Sequence, residues 1–270
     1  MPEIGVIGGS GLYSMEGLRK IGVERVDTPF GQPSDAYLIT ELDGREVVFL
    51  PRHGSGHAVA PHKINYRANI WGMKHLGVKR IIAVNATGSL LEGVPPGSIV
   101  IPDQLIDTTA GARPATFFED KDVVHVDFTE PYCPEMRRII SRACNEACAA
   151  SKTKTPFFDT GVYVCVNGPR LETAAEIAAY TKLGGSIIGM TGMPEAVLAR
   201  EAEICYSALA VITNYAAGIC PKARLTTKEV IENMEKSGPL LHDILRRAIS
   251  LMPSERKNCS CGTALNDSRL

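Results

Sequence analysis

The sequence predicts an α/β protein built on a mostly parallel β-sheet with helices on both faces. Two observations support this fold class. Short apolar runs rich in β-branched residues alternate with stretches whose apolar residues follow a helical period, as parallel strands and their crossover helices require. The 270 residues are also 44% hydrophobic and 22% charged, ordinary values for a globular chain able to bury a sizeable core.

The elements are predicted in the following order. Apolar runs indicate strands over 4–7, 37–42, 46–50, 80–84, 98–101, 161–166, 186–188 and 205–213, and helical patterns cover 65–76, 134–150, 173–183, 195–202 and 226–251. The second and third strands flank Asp43-Gly44-Arg45, a turn sequence typical of a hairpin. The last helix begins with a capping-box pattern, Thr226 to Glu229, and Gly238-Pro239 predicts a kink or a restart within it.

One domain is expected over residues 1–252, because no repeat, low-complexity tract or linker divides that part of the chain. Residues 253–270 are polar and rich in Gly, Ser and Asn, which predicts a weakly packed C-terminal tail. The tail carries Cys259-Ser260-Cys261.

The charge and hydropathy of the chain argue against nucleic-acid and membrane partners. Its 29 Lys and Arg balance 30 Asp and Glu, whereas proteins that coat polyanions are strongly basic. No apolar run approaches the roughly 18–20 residues that a bilayer crossing needs. Because Met1-Pro2-Glu3-Ile4 lacks the features of a secretory signal, we expect a cytoplasmic protein with small-molecule partners.

Eight cysteines lie beyond residue 132, at positions 133, 144, 148, 165, 205, 220, 259 and 261. No CxxC pair occurs, and Cys259 and Cys261 have no second pair or nearby His in the sequence to complete four ligands, so no metal site is expected. Most of the cysteines are interpreted as small buried hydrophobic residues. Disulfides are the alternative if the source is hyperthermophilic.

Polar or glycine-rich turns follow six of the predicted strands, at 8–11, 51–54, 85–88, 167–172, 189–192 and 214–215. Because ligands bind beyond the carboxyl ends of parallel strands, these turns are expected to meet at one site. The turn Gly8-Gly9-Ser10-Gly11 fits two roles equally well: a strand-to-helix bend that needs glycine, and a nest of N–H groups around an anion.

Arg52-His53 favours an anion at this site, although an exposed Arg beside a packed His is the commoner role of such a pair. Arginine presents a planar fork of donors that suits an oxyanion, and Ser10, Asn85 and Thr191 add neutral donors at neighbouring strand ends. No cluster of metal-binding carboxylates accompanies them. We therefore expect phosphate as a reactant rather than as part of a magnesium nucleotide.

Several segments resemble one family. In order along the chain, they are similar to segments of the trimeric purine nucleoside and 5′-methylthioadenosine phosphorylases. The segments are IGVIGGSG (4–11), PRHG (51–54), HKINYRANIW (62–71), GPRLET (168–173) and GMTGMPE (189–195). The resemblance implies a twisted mixed sheet flanked by helices, and a homo-oligomer (a trimer or a dimer of trimers) with sites at subunit boundaries. It also implies an enzyme that uses inorganic phosphate as co-substrate and no cofactor. The tail resembles a CxC of heat-stable archaeal relatives, in which cysteines form disulfides.

Carried over position by position, the resemblance assigns the site residues. Phosphate contacts fall on Ser10, Arg52, His53, Asn85, Ala86 and Thr191. Sugar and base contacts fall on Met190 (beneath the ribose), His57, Leu171, Glu172, Asn214, Tyr215, Ala216 and Leu225, and on His125 from a neighbouring subunit at the sugar 5′ end. The implied reaction is phosphorolysis, in which phosphate attacks the sugar as the purine leaves; Asn214, Glu172 and His53 are the expected catalytic residues.

The choice of base depends on Glu172 and Asn214, where methylthioadenosine phosphorylases carry a small hydroxyl residue and Asp. A 6-oxopurine offers N1–H as a donor and O6 as an acceptor, so Glu172 can accept from N1–H while the Asn214 amide donates to O6 and accepts from N7–H. Adenine reverses both edges. A site built on such bonds can reject the mismatched base by roughly 10⁴-fold, so hypoxanthine or guanine is expected.

The sugar is assigned on weaker signals. Leu225, before the last helix, suits a 5′-methylthio group or simply packs beside the helix cap, and the His that nucleoside-specific relatives carry near Thr227 is missing. We expect S-methyl-5′-thioinosine as the leading substrate, with inosine and guanosine next and methylthioadenosine as the alternative. Two other classes are weighed against this: a non-catalytic purine nucleoside sensor, and a nicotinamide-dependent oxidoreductase, whose glycine fingerprint the chain lacks.

Overall fold

The computed structural model describes residues 2–9, 12, 17–119, 122–151, 154–220 and 226–269. Within these ranges, eleven strands form one sheet. They are β1 (Ile4–Gly8), β2 (Arg19–Glu24), β3 (Tyr37–Leu42), β4 (Arg45–Pro51), β5 (Arg80–Ser89), β6 (Ile99–Val100), β7 (Gln104–Asp107), β8 (Phe157–Phe158), β9 (Val162–Cys165), β10 (Ile187–Gly189) and β11 (Cys205–Tyr215). The helices are α1 (Tyr66–His75), α2 (Pro134–Ala150), α3 (Ala174–Lys182), α4 (Glu195–Glu201) and α5 (Thr227–Leu251).

The sheet is mixed but mostly parallel, as the sequence predicts. Its main order is β2-β3-β4-β1-β5-β10-β9-β7, and β11 lies on the other edge of β5 and also pairs with β6. The pairs β1–β4, β1–β5, β5–β11, β9–β10 and β7–β9 are parallel. The β10–β5 pair is antiparallel. The chain that leaves β10 therefore runs alongside the second half of β5 in the opposite direction.

Hydrophobic side chains pack against both faces of the sheet, which confirms the predicted double cover. On one face, residues of α2 and α5 such as Ile140 and Leu245 pack with Ile4 of β1. On the other face, Ile70 of α1 and Leu198 of α4 pack with strand residues such as Ile7 of β1 and Ile81 of β5. None of the helices in the described ranges combines the length and apolar character that a membrane crossing requires.

The hairpin and the start of the last helix form as the sequence predicts. Asp43 and Gly44 connect β3 to β4 with φ of 49° and 78°, the two positive values of a type I′ turn. Thr226 caps α5 by accepting a hydrogen bond from the Glu229 N–H at 3.2 Å. The helix then runs through Pro239 without a restart, because its buried face, Leu241 onward, stays packed in the core.

Three strands escape the sequence patterns, and two predicted strands are longer than expected. β2 is exposed along nearly all of its length, and its apolar alternation is limited to Ile21 and Val23, while β7 and β8 are short. β5 does not end at Val84 but continues to Ser89, since β11 pairs with it along its whole length. Residues 85–88 therefore belong to a strand rather than to a turn. β11 runs to Tyr215, so Asn214 and Tyr215, predicted as a turn, belong to the strand.

The C-terminal tail is packed rather than loose. Cys261 is buried in the core, and the Glu135 carboxylate at the start of α2 accepts the Asn258 N–H at 3.3 Å. Further along, the carbonyl of Ser268 accepts the His125 N–H at 2.8 Å. These contacts fasten both ends of the tail to the body of the protein.

Candidate active site

A cavity of about 990 Å³ opens where the predicted strand exits meet. One wall consists of strand-exit residues: Arg52, His53, Ala86, Met190 and Thr191. The opposite wall is α5, which contributes apolar side chains including Val230, Ile231 and Met234. The structure thus brings together most of the residues assigned to phosphate, and it adds a helical wall that the sequence did not predict.

Arg52 lies in a buried ion pair with Glu195. Its Nε donates to Glu195 Oε2 at 2.7 Å and its Nη2 to Oε1 at 2.8 Å, while Nη1 donates to the Val84 carbonyl at 2.8 Å. Burial alone would lower the pKa of Arg52, but the charge of Glu195 outweighs it and raises that pKa above its ordinary value. The guanidinium stays charged, and its planar fork faces the carboxylate rather than the cavity.

Of the five N–H donors of Arg52, the contacts within the described residues leave one hydrogen on Nη1. Nη2 uses its second hydrogen on the Ile7 carbonyl at 3.4 Å. Any anion held beside Arg52 therefore meets one donor and a charge already balanced by Glu195. Glu195 lies in the GMTGMPE segment, but nothing local in the sequence indicates that it pairs with Arg52.

His53 is a neutral imidazole at this site. Its Nδ1 lies 2.8 Å from the Val59 carbonyl, which assigns the proton to Nδ1 and leaves Nε2 as an acceptor. Burial is the main cause that lowers the pKa of His53 to about 4, and the neighbouring charges of Arg52 and His57 add to it. The exposed ring of His57 stacks on His53 with centroids 4.1 Å apart.

Asn85 and Thr191 are joined across β5 and the segment that follows β10. Asn85 Nδ2 donates to Thr191 Oγ1 at 2.9 Å, and both residues are buried. Asn85 Oδ1 is buried without a hydrogen-bond partner among the described residues. Because the Thr191 hydroxyl accepts from Asn85, its own hydrogen can be donated to a ligand in the cavity.

Arg113 holds the loops around Met190, and no motif or periodicity marks it in the sequence. Its Nη1 donates to the carbonyls of Met190 at 2.8 Å and Met193 at 2.7 Å, and its Nη2 to the Asn167 carbonyl at 2.8 Å. Nη1 also reaches the Tyr66 hydroxyl at 3.1 Å. One buried side chain therefore ties the exits of β9 and β10 to α1.

Asn214 lies at the end of β11 against Gly88 of β5. A Cβ placed on Gly88 would come within 3.2 Å of Asn214 Nδ2 and 3.7 Å of the Ala216 Cβ. Asn214 Oδ1 accepts from the Thr213 hydroxyl at 2.8 Å, and its Nδ2 donates to the Tyr215 carbonyl at 2.9 Å. The amide keeps one lone pair and one hydrogen for a ligand.

Glu172 is half-buried just before α3. Burial and, next, the charge of Glu176 raise its pKa, although Arg170 and its own backbone N–H oppose this. Gly218 brings the chain after Asn214 against the first turn of α3, since a Cβ there would lie 2.9 Å from the Ala174 Cβ. Glu172 and Asn214 thus sit on adjoining segments, but neither lines the cavity as described.

The remaining assigned residues lie at the margins of the cavity or outside the described ranges. Leu171 is 46% exposed, and the Tyr215 hydroxyl donates to the Glu92 carbonyl at 3.1 Å. His125 is exposed and away from the cavity of its own chain. Ser10 and Leu225 lie outside the described residues.

Comparison with known proteins identifies the family. The model of the phosphorylase superfamily matches residues 3–250. A probable S-methyl-5′-thioinosine phosphorylase of Thermodesulfovibrio yellowstonii is 52% identical over 265 residues, 98% of this chain and 96% of that protein. The 6-oxopurine nucleoside phosphorylase of Pyrococcus furiosus is 48% identical over 272 residues, 98% of both chains.

A solved structure of the same kind of enzyme also resembles this chain over its whole length. The crystal structure of a methylthioadenosine phosphorylase from an Antarctic soil metagenomic library matches with a TM-score of 0.93 at 40% identity, covering all of this chain and 92% of that one. Because the family model spans nearly the whole chain and relatives reach half identity, this protein belongs to the phosphorylase superfamily.

Proposed function

We propose that this enzyme catalyses reversible phosphorolysis of 6-oxopurine nucleosides, with S-methyl-5′-thioinosine as its leading substrate and inosine and guanosine next. The observation that carries the proposal is that Glu172 and Asn214 lie on adjoining segments of the fold. The names of the relatives from Thermodesulfovibrio yellowstonii and Pyrococcus furiosus support it. Inorganic phosphate is the co-substrate, and no cofactor enters the reaction.

Asn214 carries the leaving-group chemistry. The amide that Thr213 and Tyr215 hold in place has one Nδ2 hydrogen for O6 and one Oδ1 lone pair for a proton on N7. This free donor and this free acceptor match a 6-oxopurine, whose O6 accepts and whose protonated N7 donates. For adenine, the 6-amino group would meet the Nδ2 hydrogen, and the two donors would face each other.

Glu172 completes the recognition of the base. As a carboxylate it accepts from the N1–H of a 6-oxopurine, whereas adenine presents a lone pair at N1. The mismatch leaves a half-buried carboxylate unpaired, which is how a hydrogen-bonding site gains discrimination of roughly 10⁴-fold.

Residues 1–252 form the phosphorylase domain in this proposal, and the C-terminal tail, residues 253–270, follows it.

Phosphate lies among Thr191, Asn85, Ala86, Ser10, His53 and the free Nη1 hydrogen of Arg52. His53 Nε2, a neutral acceptor, accepts a hydrogen bond from the P–O–H group of HPO₄²⁻. A phosphate oxygen then attacks C1′ of the sugar as the C1′–N9 bond breaks, and the electron pair of that bond leaves with the purine. The purine takes up a proton from solvent at N7, and the sugar 1-phosphate releases to solvent the proton that HPO₄²⁻ brought; positioning and electrostatics supply the acceleration.

The α5 wall favours a methylthio group at the sugar 5′ position. Val230, Ile231 and Met234 present apolar surface to the cavity, and Ile231 is 53% exposed there. A thioether gains from burial on such a surface, whereas a hydroxyl needs a hydrogen-bond partner.

His125 reaches the sugar 5′ end of a neighbouring subunit, so the active unit is a homo-oligomer, a trimer or a dimer of trimers.

The test is base release measured with and without phosphate for S-methyl-5′-thioinosine, inosine, guanosine, methylthioadenosine and adenosine. The proposal expects release that depends on phosphate, with the 6-oxopurines ahead of the 6-aminopurines by roughly 10³–10⁴-fold in kcat/KM. The ratio of methylthioinosine to inosine tests the α5 wall separately. A preference for methylthioadenosine would overturn the base assignment, and binding without turnover would indicate a sensor.

One observation favours methylthioadenosine as the second candidate. Because the pKa of Glu172 is raised, its protonated form is easier to reach, and a carboxylic acid can donate to N1 of adenine. This candidate predicts that kcat/KM for methylthioadenosine itself rises as the pH falls, whereas the 6-oxopurine assignment expects only the value for inosine to fall. The same panel, repeated at two pH values, distinguishes the two assignments.

A further inference from the structure

Four cysteines that are distant in sequence meet at one point of the fold. The Sγ atoms of Cys133, Cys205, Cys259 and Cys261 all lie within 4.8 Å of one another, and that of Cys205 is 3.5 Å from that of Cys259. Three of the residues are buried and Cys259 is partly buried. We call this group the tetracysteine cluster. It lies away from the cavity, and the proposed reaction does not use it.

Three separate elements build the tetracysteine cluster. Cys205 is the first residue of β11, and Cys133 is the N-cap of α2 and donates its N–H to the Tyr206 carbonyl at 2.8 Å. Cys259 and Cys261 arrive on the tail, which Glu135 holds against the start of α2. Since the sequence shows only the Cys259-Ser260-Cys261 pair, the second pair of ligands becomes visible only in the fold.

The spacing of the sulfurs fits a tetrahedral metal ion. Zinc bound by four thiolates has Zn–S bonds of about 2.3 Å, which puts neighbouring sulfurs about 3.8 Å apart. The separations here, 3.5 Å and no more than 4.8 Å, need only small movements to reach that value.

Arg80 supplies the second, independent observation. It is fully buried, and none of its three guanidinium nitrogens has a hydrogen-bond partner among the described residues. Its ion-pair partner Glu3 lies 3.8 Å away, beyond hydrogen-bond distance. Arg80 is paired with Cys205 across β5 and β11, so the two side chains leave the same face of the sheet.

A buried guanidinium whose carboxylate partner lies beyond hydrogen-bond distance is costly unless a second anion stands near it. Four thiolates around Zn²⁺ carry a net charge of −2. This negative centre would supply a counter-charge for the buried guanidinium of Arg80. The N-terminal end of α2, capped by Cys133, adds the positive end of a helix dipole. Arg256 also lies against Gly262, next to Cys261, where a Cβ would be 2.7 Å from its Nη2.

We propose that Cys133, Cys205, Cys259 and Cys261 bind one zinc ion that fastens the C-terminal tail to the start of α2 and β11. Binding converts the four thiols to thiolates and releases their protons to solvent, with no change in oxidation state. All four positions are filled by protein, which is the arrangement of a structural rather than a catalytic site. The inference departs from the sequence-based expectation of no metal, and it is independent of the proposed substrate.

The experiment uses the full chain, purified under reducing conditions, exposed to ZnSO₄ and then freed of unbound metal. Metal analysis should find about one zinc per chain in the wild type and in Cys220→Ser, whose thiol is exposed and outside the cluster, but less than about a tenth of that in Cys259→Ser. Cys259 is only partly buried, so this variant is expected to fold even if Cys205→Ser does not.

Cobalt provides a second readout. Co²⁺ substituted for zinc should give the thiolate-to-cobalt charge transfer and the intense visible bands of a tetrahedral site in the wild type and Cys220→Ser, and lose them in Cys259→Ser. Mass spectrometry of the unreduced protein covers the competing outcome. Disulfides among these four residues, or four free thiols that take up no zinc or cobalt, would overturn the proposal.

Discussion

Arg52 and Glu195, 143 residues apart in sequence, form a two-point ion pair at 2.7 and 2.8 Å in which the side chains are 3% and 0% exposed. The Tyr206 hydroxyl donates to the same carboxylate at 2.9 Å. The pair links the exit of β4 to the start of α4 directly beside the cavity. It therefore fixes the residue that the sequence assigns to phosphate in one orientation.

Replacing Glu195 should destabilise the protein strongly. Glu195→Ala leaves a buried guanidinium without its counter-charge, which costs about 3–5 kcal/mol when one partner of a buried pair is removed. The free energy of unfolding from urea titration measures the loss. Glu146→Ala is the matched control, because it breaks only surface pairs, with Arg142 and Arg247; similar losses in both variants would show that burial of the Arg52 pair is unimportant.

Replacing Glu172 should weaken the selectivity for the base. Glu172→Gln exchanges a charged acceptor for N1–H against a neutral amide. The loss of a charge-assisted hydrogen bond of about 1.5–3 kcal/mol lowers kcat/KM for inosine roughly 10–100-fold. The value for methylthioadenosine should fall much less, since the carboxylate does not favour adenine. Equal losses for both nucleosides would remove Glu172 from base recognition.

The pH dependence follows from the raised pKa of Glu172. Only the carboxylate form accepts from N1–H, so kcat/KM for inosine should fall as the pH drops through a pKa above the ordinary 4.5. Glu176 contributes to the upward shift, and Glu176→Gln should therefore move the acidic limb to lower pH. Initial rates at subsaturating inosine, from pH 4.5 to 8, check this. An unmoved limb would assign it to another group.

The regular elements could be predicted from local sequence, whereas the partners of the site residues could not. Apolar runs place β1, β3 and β4 within a residue or two, and α2 is predicted with its observed bounds, because burial on one face is visible as periodicity. Residues 85–88 look like a turn, since their small and polar side chains give no strand signal. Only the pairing of β5 with β11 makes them a strand.

The candidate site shows the same division. PRHG indicates an anion site, but the direction of the Arg52 fork depends on Glu195, far away in the chain. Arg113 lies in a loop with no periodic or motif signal, although it makes five hydrogen bonds that organise the site. The tetracysteine cluster combines positions whose spacing matches no metal motif. In each case the decisive contact is long-range, which local patterns do not encode.

The lowered pKa of His53 predicts a loss of stability in mild acid. In the unfolded chain His53 takes up a proton near its ordinary pKa of 6.5, but in the fold it stays neutral down to about 4. The unfolded state binds more protons between these values, so the free energy of unfolding should decrease as the pH falls from about 6.5 towards 4. His53→Gln should reduce this slope in urea titrations, whereas His75→Gln, on the far end of α1, should leave it.

Arg113 is expected to act through the loops that hold the nucleoside. Arg113→Lys keeps the charge but cannot span Met190, Met193 and Asn167, so Met190 loses the fixed position that the proposed function assigns to it beneath the sugar. A displacement of about 1 Å at such a site lowers kcat/KM as much as roughly 100-fold, and the KM for nucleoside should rise more than the KM for phosphate. Arg67→Lys, which alters an exposed pair with Glu119, should leave both constants unchanged. If the two KM values of Arg113→Lys instead rise together, Arg113 supports the fold as a whole rather than the nucleoside side of the site.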